Sequence, residues 1–182
     1  MADLETTDWL DKLWTAHSSL FEGSSPFATG IGTLPVGWRE LVESLCSRLA
    51  AVVPTEADRL RILRLENDRA TLNVAWETIP QHGGVEAEAA EIVARATARP
   101  ACTCEICGLT ATRYRTGFWT FAACPVHMQR GSIEIVPNWA LIRTTRACVE
   151  GRSRIVACEV YDRGLDRFVA AAPATLGIKD SP

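Results

Sequence analysis

Cys104-Glu105-Ile106-Cys107-Gly108 and Cys124-Pro125-Val126-His127, with sixteen residues between Cys107 and Cys124, decide how this chain is read. Each half is a pair of metal-binding side chains separated by two residues. Together Cys104, Cys107, Cys124 and His127 form a Cys3His set with the ligand types and spacing of a closed tetrahedral zinc site. Soft thiolates without a four-cysteine cluster pattern favour zinc over an iron–sulfur centre. A catalytic zinc needs an open coordination position, and four protein ligands leave none. The expected cofactor is therefore a structural Zn2+. Cys102 lies two residues before Cys104 and could substitute as a ligand, but Cys104-x-x-Cys107 with Gly108 behind it is the better-formed turn.

Around these ligands the pattern predicts a treble-clef-like unit. Gly108 supplies the backbone freedom of a tight metal-binding turn. Residues 110–115 and 118–122 read as two short strands joined at Thr116-Gly117. Pro125, with its fixed φ, suits the first turn of a short helix carrying His127. Cys46, Cys148 and Cys158 read as small buried apolar residues. Seven cysteines, an odd number, with a metal-type pattern and no signal peptide point to a reducing, cytoplasmic setting.

The 182 residues are 47% hydrophobic, enough for a real core and too apolar for extensive disorder. No apolar run approaches the ~20 residues of a membrane span. A net charge of −3 argues against a strongly electrostatic nucleic-acid binder. Residues 1–100 carry 9 basic and 15 acidic side chains, and 101–182 carry 10 and 7, an asymmetry that a solvated surface accounts for.

Read from its start, the chain has an α+β order. A helix is expected over 8–21, capped by Thr7 or Asp8, with Leu10, Leu13, Trp14, His17 and Phe21 on one face and His17 as a core or boundary residue. Residues 22–36 read as a loop. A strong amphipathic helix follows over 37–53, its stripe being Trp38, Leu41, Val42, Leu45, Leu49 and Val52. Residues 59–66 and 70–77 predict a β-hairpin turning at Asn67-Asp68, and 85–99 a helix that delivers the first cysteine pair. Strands are expected over 132–136, 139–144, 154–161 and 167–172, and the last ten residues read as frayed. The boundaries suggested are a helical and hairpin region 1–100, a zinc unit 101–131 and a C-terminal β segment 132–182, together one compact domain.

The run Gly37-Trp38-Arg39-Glu40-Leu41-Val42-Glu43-Ser44-Leu45-Cys46, the hairpin, the Ala-rich helix, Thr103 to Gly108, and Gly117-Phe118-Trp119-Thr120 through Cys124 to His127 resemble a family of small uncharacterised proteins from bacteria and their phages. That likeness spans roughly residues 37–127. It implies the metal site and the layout, and no activity. The chain departs from it in having Pro125-Val126 where an acidic residue is expected between the last two ligands.

Catalytic patterns are thin: there is no Gly-rich phosphate loop, no Gly-x-Ser-x-Gly elbow and no His-Glu-x-x-His helix. A zinc deaminase motif is also missing, and His127 with Asn138 does not make a second-metal nuclease site. The sequence therefore favours a non-enzymatic regulator or inhibitor acting on a protein partner, of the immunity, antitoxin or anti-defence kind. The alternatives are a nucleic-acid-binding regulator that uses the zinc hairpin and, after it, a metal-dependent nuclease. Arg113, Tyr114, Arg115, Trp119 and Arg130 are the candidate nucleic-acid or partner contacts, since cations mixed with aromatics suit single strands. Phe118 and Trp119 are nevertheless expected to pack on the hairpin over the metal.

Overall fold

Three buried positions of the first strand, Leu60, Ile62 and Leu65, are spaced by two and then by three residues, so a regular strand would turn one of them outward. In a computed structural model that describes residues 2–53, 59–79, 83–149 and 151–178, the register shifts between Ile62 and Arg64. Leu63 bulges out and is exposed, and all three partners stay in the core. This strand, β1 (Arg59–Asp68), pairs antiparallel with β2 (Thr71–Ile79).

The fold is α+β. Helix α1 (Ala2–Ala16) leads into a 3-10 turn Ser18–Phe21, then a short α2 (Pro26–Thr29), then α3 (Arg39–Val52). After β1 and β2 comes α4 (Gly83–Ala98). Next are β3 (Thr112–Thr116), β4 (Trp119–Ala123) and β5 (Ile133–Glu134), which form one small sheet in the order β4-β3-β5. A last antiparallel meander comprises β6 (Ile142–Val149), β7 (Arg152–Asp162) and β8 (Arg167–Ala171).

The α3 stripe packs as its pattern predicts except at its last member, Val52, which is half-buried. Trp38, Leu41, Val42, Leu45, Cys46 and Leu49 are buried with Trp9, Leu13, Phe21, Ile62, Leu65, Leu72, Ala89 and Ile92 in a single cluster. Each fully buried aliphatic side chain there contributes roughly 1.5–3 kcal/mol. Trp14 stacks on Phe21 at 4.5 Å between ring centroids, which closes the α1 end of the core.

Several expectations are corrected. The first helix starts at Ala2 and stops at Ala16, so Thr7 and Asp8 lie inside it, and Asp8 pairs with Lys12 at 2.6 Å instead of capping. Its predicted last turn is 3-10, where Ser18-Ser19 favour local turns over helix. The 22–36 loop contains α2, because Ser25 accepts a hydrogen bond from the Ala28 N–H at 3.2 Å and Pro26 sits in the first turn. The first hairpin turns at Arg69-Ala70, both with positive φ (52° and 61°), rather than at Asn67-Asp68. Two contacts hold that costly conformation: the Asn67 side chain accepts from Ala70 N–H at 3.1 Å, and Arg113 donates to the Arg69 carbonyl. Residues 139–141 are a 3-10 turn ahead of β6, and of 132–136 only Ile133–Glu134 pairs. Cys148 is exposed, not buried as Cys46 and Cys158 are. Of the ten residues expected to fray, Pro173–Leu176 form a 3-10 turn, and 179–182 lie outside the described residues.

The C-terminal meander is tied to the helices through charge. Arg143 donates to Glu91 of α4 at 2.7 Å and to Glu159 at 2.8 Å. Asp166 pairs with Arg48 of α3 at 2.8 Å and Arg99 at 3.1 Å and accepts from the Tyr161 hydroxyl at 2.6 Å. Among the described residues no helix is long and apolar enough to cross a membrane.

Candidate metal centre

The first ligand turn is built from the backbone. Cys104 N–H donates to the Leu109 carbonyl at 2.8 Å, and Gly108 N–H returns to the Cys104 carbonyl at 2.9 Å. Gly108 takes φ +73°, and a Cβ there would meet the Gly37 carbonyl oxygen at 2.8 Å. The second turn is closed by the N–H groups of His127 and Met128, both donating to the Cys124 carbonyl at 3.0 and 2.9 Å. It is a single turn rather than the first turn of a helix, so the helix that a treble clef places at its second ligand pair is not formed here. The β3–β4 hairpin joins the two turns and sets their separation.

These elements converge the four predicted ligands. One donor atom from each of Cys104, Cys107, Cys124 and His127 lies within 4.8 Å of the others. The Cys107 and Cys124 sulfurs are 3.7 Å apart, and His127 Nδ1 lies 3.5 Å from the Cys104 sulfur and 3.3 Å from that of Cys124. A tetrahedron with zinc–sulfur bonds of ~2.3 Å and a zinc–nitrogen bond of ~2.0 Å has edges of ~3.8 and ~3.5 Å. The cluster thus fits a metal ion with His127 bound through Nδ1. Cys102 takes no part: its thiol donates to the Arg99 carbonyl at 3.2 Å, and burial pushes its pKa up to about 11.

The turn prepares its own thiolate. Burial works against ionising Cys104, but backbone N–H groups of Cys107, Cys124 and Ile106 aimed at its sulfur outweigh it and bring the thiol down to about 6. A metal ion adds to that bias, because each coordinating sulfur must be deprotonated. Glu105, between the ligands, is raised to about 7 by burial, although its carboxylate accepts from Ala122 N–H at 3.3 Å.

No family model, curated protein or solved structure matches this chain.

The partners that hold the first turn from its two sides were not legible as such. Gly37, at the entry to α3, donates its N–H to the Glu105 carbonyl at 2.9 Å, and the buried Trp38 indole donates to the Thr103 carbonyl at 3.3 Å. A Cβ on Gly37 would meet the Cys104 carbonyl oxygen at 2.2 Å, so only glycine permits this approach. From the other side Arg163 donates to the Gly108 carbonyl at 3.0 Å and to the Thr110 hydroxyl at 3.1 Å. The Gly-Trp pair at the head of an amphipathic helix was the available signal for the first contact. Arg163, in a hairpin connection, carried none.

The hairpin side chains are placed differently from one another. Arg113 is committed to the Arg69 carbonyl through Nε and a terminal nitrogen, at 3.1 and 2.7 Å. Tyr114 is half-buried opposite Phe121, with ring centroids 6.0 Å apart. Arg115 and Arg130 are exposed. Asn138 donates to the Ala101 carbonyl at 3.2 Å, away from the ligand set. The hairpin turns at Gly117-Phe118, one residue later than predicted, with Thr116 facing Trp119. Phe118 is therefore fully exposed at the tip, and Trp119 is 81% exposed beside it. Neither packs over the metal, which corrects that expectation.

Proposed function

We propose that Cys104, Cys107, Cys124 and His127 hold one structural Zn2+, and that the chain is a non-enzymatic regulator or inhibitor that docks on a protein through the zinc-held hairpin. The observation that carries this reading is the exposed pair Phe118 and Trp119 at the hairpin tip. Large exposed aromatics on a rigid mount are unfavourable in water and are the residue types that dominate protein interfaces. Ile106 and Val126, in the two ligand turns, are also exposed and extend the apolar character of the unit. When bound, the ion contributes folding free energy and fixes the base of the hairpin.

The nucleic-acid reading of the same hairpin is weakened by Arg113, whose guanidinium is engaged within the molecule. That leaves Arg115 and Arg130 as exposed cations on or beside the hairpin, few for a backbone-tracking surface. The immunity, antitoxin or anti-defence kind of role fits a compact scaffold that offers one apolar finger. Its test is capture of partners from the native host by tagged wild-type protein and by the double variant F118S/W119S, with nuclease treatment in parallel. The proposal expects a nuclease-resistant protein partner that the folded, metal-loaded double variant loses. Equal capture by both proteins, or recovery of nucleic acid alone, contradicts it.

A further inference from the structure

The β6–β7 ribbon projects beyond the support of the fold. Residues Thr144 to Val149 of β6 are all exposed, as are Arg152 to Arg154, Val156 and Ala157 of β7. A two-stranded ribbon with water on both faces is marginal by itself. Yet after a register shift between Thr145 and Arg146 that leaves Val156 over, its pairing resumes and runs to the end, through Arg146↔Ile155, Ala147↔Arg154, Cys148↔Ser153 and Val149↔Arg152. Strand β8 pairs with β7 only over Cys158–Asp162, so both edges of the outer ribbon are open.

Its charge is one-sided. Residues 142–158 contain four arginines and a single carboxylate, Glu150. Arg143, at the root, is neutralised by Glu91 and Glu159. Among the described residues no carboxylate lies within ion-pair reach of Arg146, Arg152 or Arg154. Facing residues of a ladder share a side, so Arg152 and Arg154 project from one face and Arg146, opposite Ile155, from the other.

We propose that this ribbon is a nucleic-acid contact that sets Arg146, Arg152 and Arg154 against the phosphates of a duplex groove. A two-stranded ribbon is an element the ~12 Å major groove admits. Six exposed residues of β6 give it a reach of roughly 20 Å. Cations on both faces meet phosphates on both walls of a groove, whereas an acidic protein surface offers charge to one face only. The guanidinium fork matches phosphate geometry. The ribbon lies outside the zinc hairpin, and this inference does not depend on the protein partner proposed above.

Fluorescence anisotropy with a labelled random-sequence DNA duplex and the full, metal-loaded chain tests it. Three phosphate contacts predict a log–log salt slope of about −2.7, hence about fortyfold weaker binding at 200 than at 50 mM salt. R146A/R152A/R154A should bind at least tenfold more weakly at the lower salt with a slope near zero, while the matching lysine triple keeps most of the slope. If the alanine triple does not fold, R152E and R154E singly should each weaken binding and flatten the slope. Absence of wild-type binding at about 50 mM salt, or equal binding by a folded alanine triple, overturns the proposal. Tighter binding to polyglutamate than to DNA at matched charge would assign the ribbon to an acidic protein and also overturn it. Self-association of the alanine triple without DNA binding by the wild type would make the arginines edge protection, and overturns the proposal as well.

Discussion

Replacing Gly37 by alanine should damage the metal centre from 67 residues away in sequence. The added methyl would sit 2.2 Å from the Cys104 carbonyl oxygen and 2.8 Å from the Glu105 carbonyl carbon and oxygen. All three are backbone atoms of the ligand turn, so no side chain can swing aside. Gly37 and the turn must separate, which removes the Gly37 N–H bond to Glu105 and the Trp38 indole bond to Thr103. Two lost hydrogen bonds at ~1 kcal/mol each and over-packing of 1–3 kcal/mol sum to about 3–5 kcal/mol. Chelator competition supplies a second readout. If metal release relieves as little as about 1.4 kcal/mol of that strain, affinity falls tenfold. Gly32→Ala is the control, since a Cβ there meets nothing within 4 Å. Urea unfolding should place Gly32→Ala at wild-type stability and Gly37→Ala several kcal/mol below it. Wild-type stability and metal affinity in Gly37→Ala would refute the claim that the head of α3 and the ligand turn are locked together.

Other outcomes follow from the same packing. Leu45→Ala, in the buried α3 stripe, should destabilise the chain by about 2–5 kcal/mol in urea titration, and a loss below 1 kcal/mol would mean the stripe is not core. Arg113→Ala removes two hydrogen bonds from the strained Arg69-Ala70 turn and should cost about 1–2 kcal/mol, whereas exposed Arg115→Ala should stay within about 0.5 kcal/mol. Burial opposes the charge of Asp166, but the Tyr161 hydroxyl with Arg48 and Arg99 outweighs it and holds the carboxyl below its ordinary value. A depressed carboxyl stabilises the fold above its unfolded value, and that contribution is lost as pH falls through the folded one. Asp166→Asn should therefore be less stable than wild type at about pH 7, the gap closing as the medium is acidified. A gap independent of pH would contradict the pairing.

The parts of the molecule legible in the sequence are those set by local periodicity and ligand spacing. The α3 stripe needs only a 3.6-residue period, and the Cys104–Cys107 and Cys124–His127 pairs need only the reach of one turn. Positions that depend on tertiary contacts were not legible. The turn at Arg69-Ala70 has no glycine or asparagine at its tip, and it holds because Arg113, 44 residues onward, binds the Arg69 carbonyl. Phe118 is exposed because the β3–β4 turn falls one residue later than predicted and takes Phe118 into its tip, with Thr116 facing Trp119. Arg163 reaches Gly108 across 55 residues, a distance that pattern reading does not bridge. The predicted helix at His127 failed for a local reason: proline at the first position permits a helix but does not propagate one.

The most direct measurement of the central claim is the metal content of freshly purified protein never exposed to chelator, read alongside Cys104→Ser and Cys124→Ser. One zinc per chain in the wild type, with both variants losing the metal and the fold of at least residues 104–130, is the predicted result. Wild-type protein that is folded and free of zinc would contradict it.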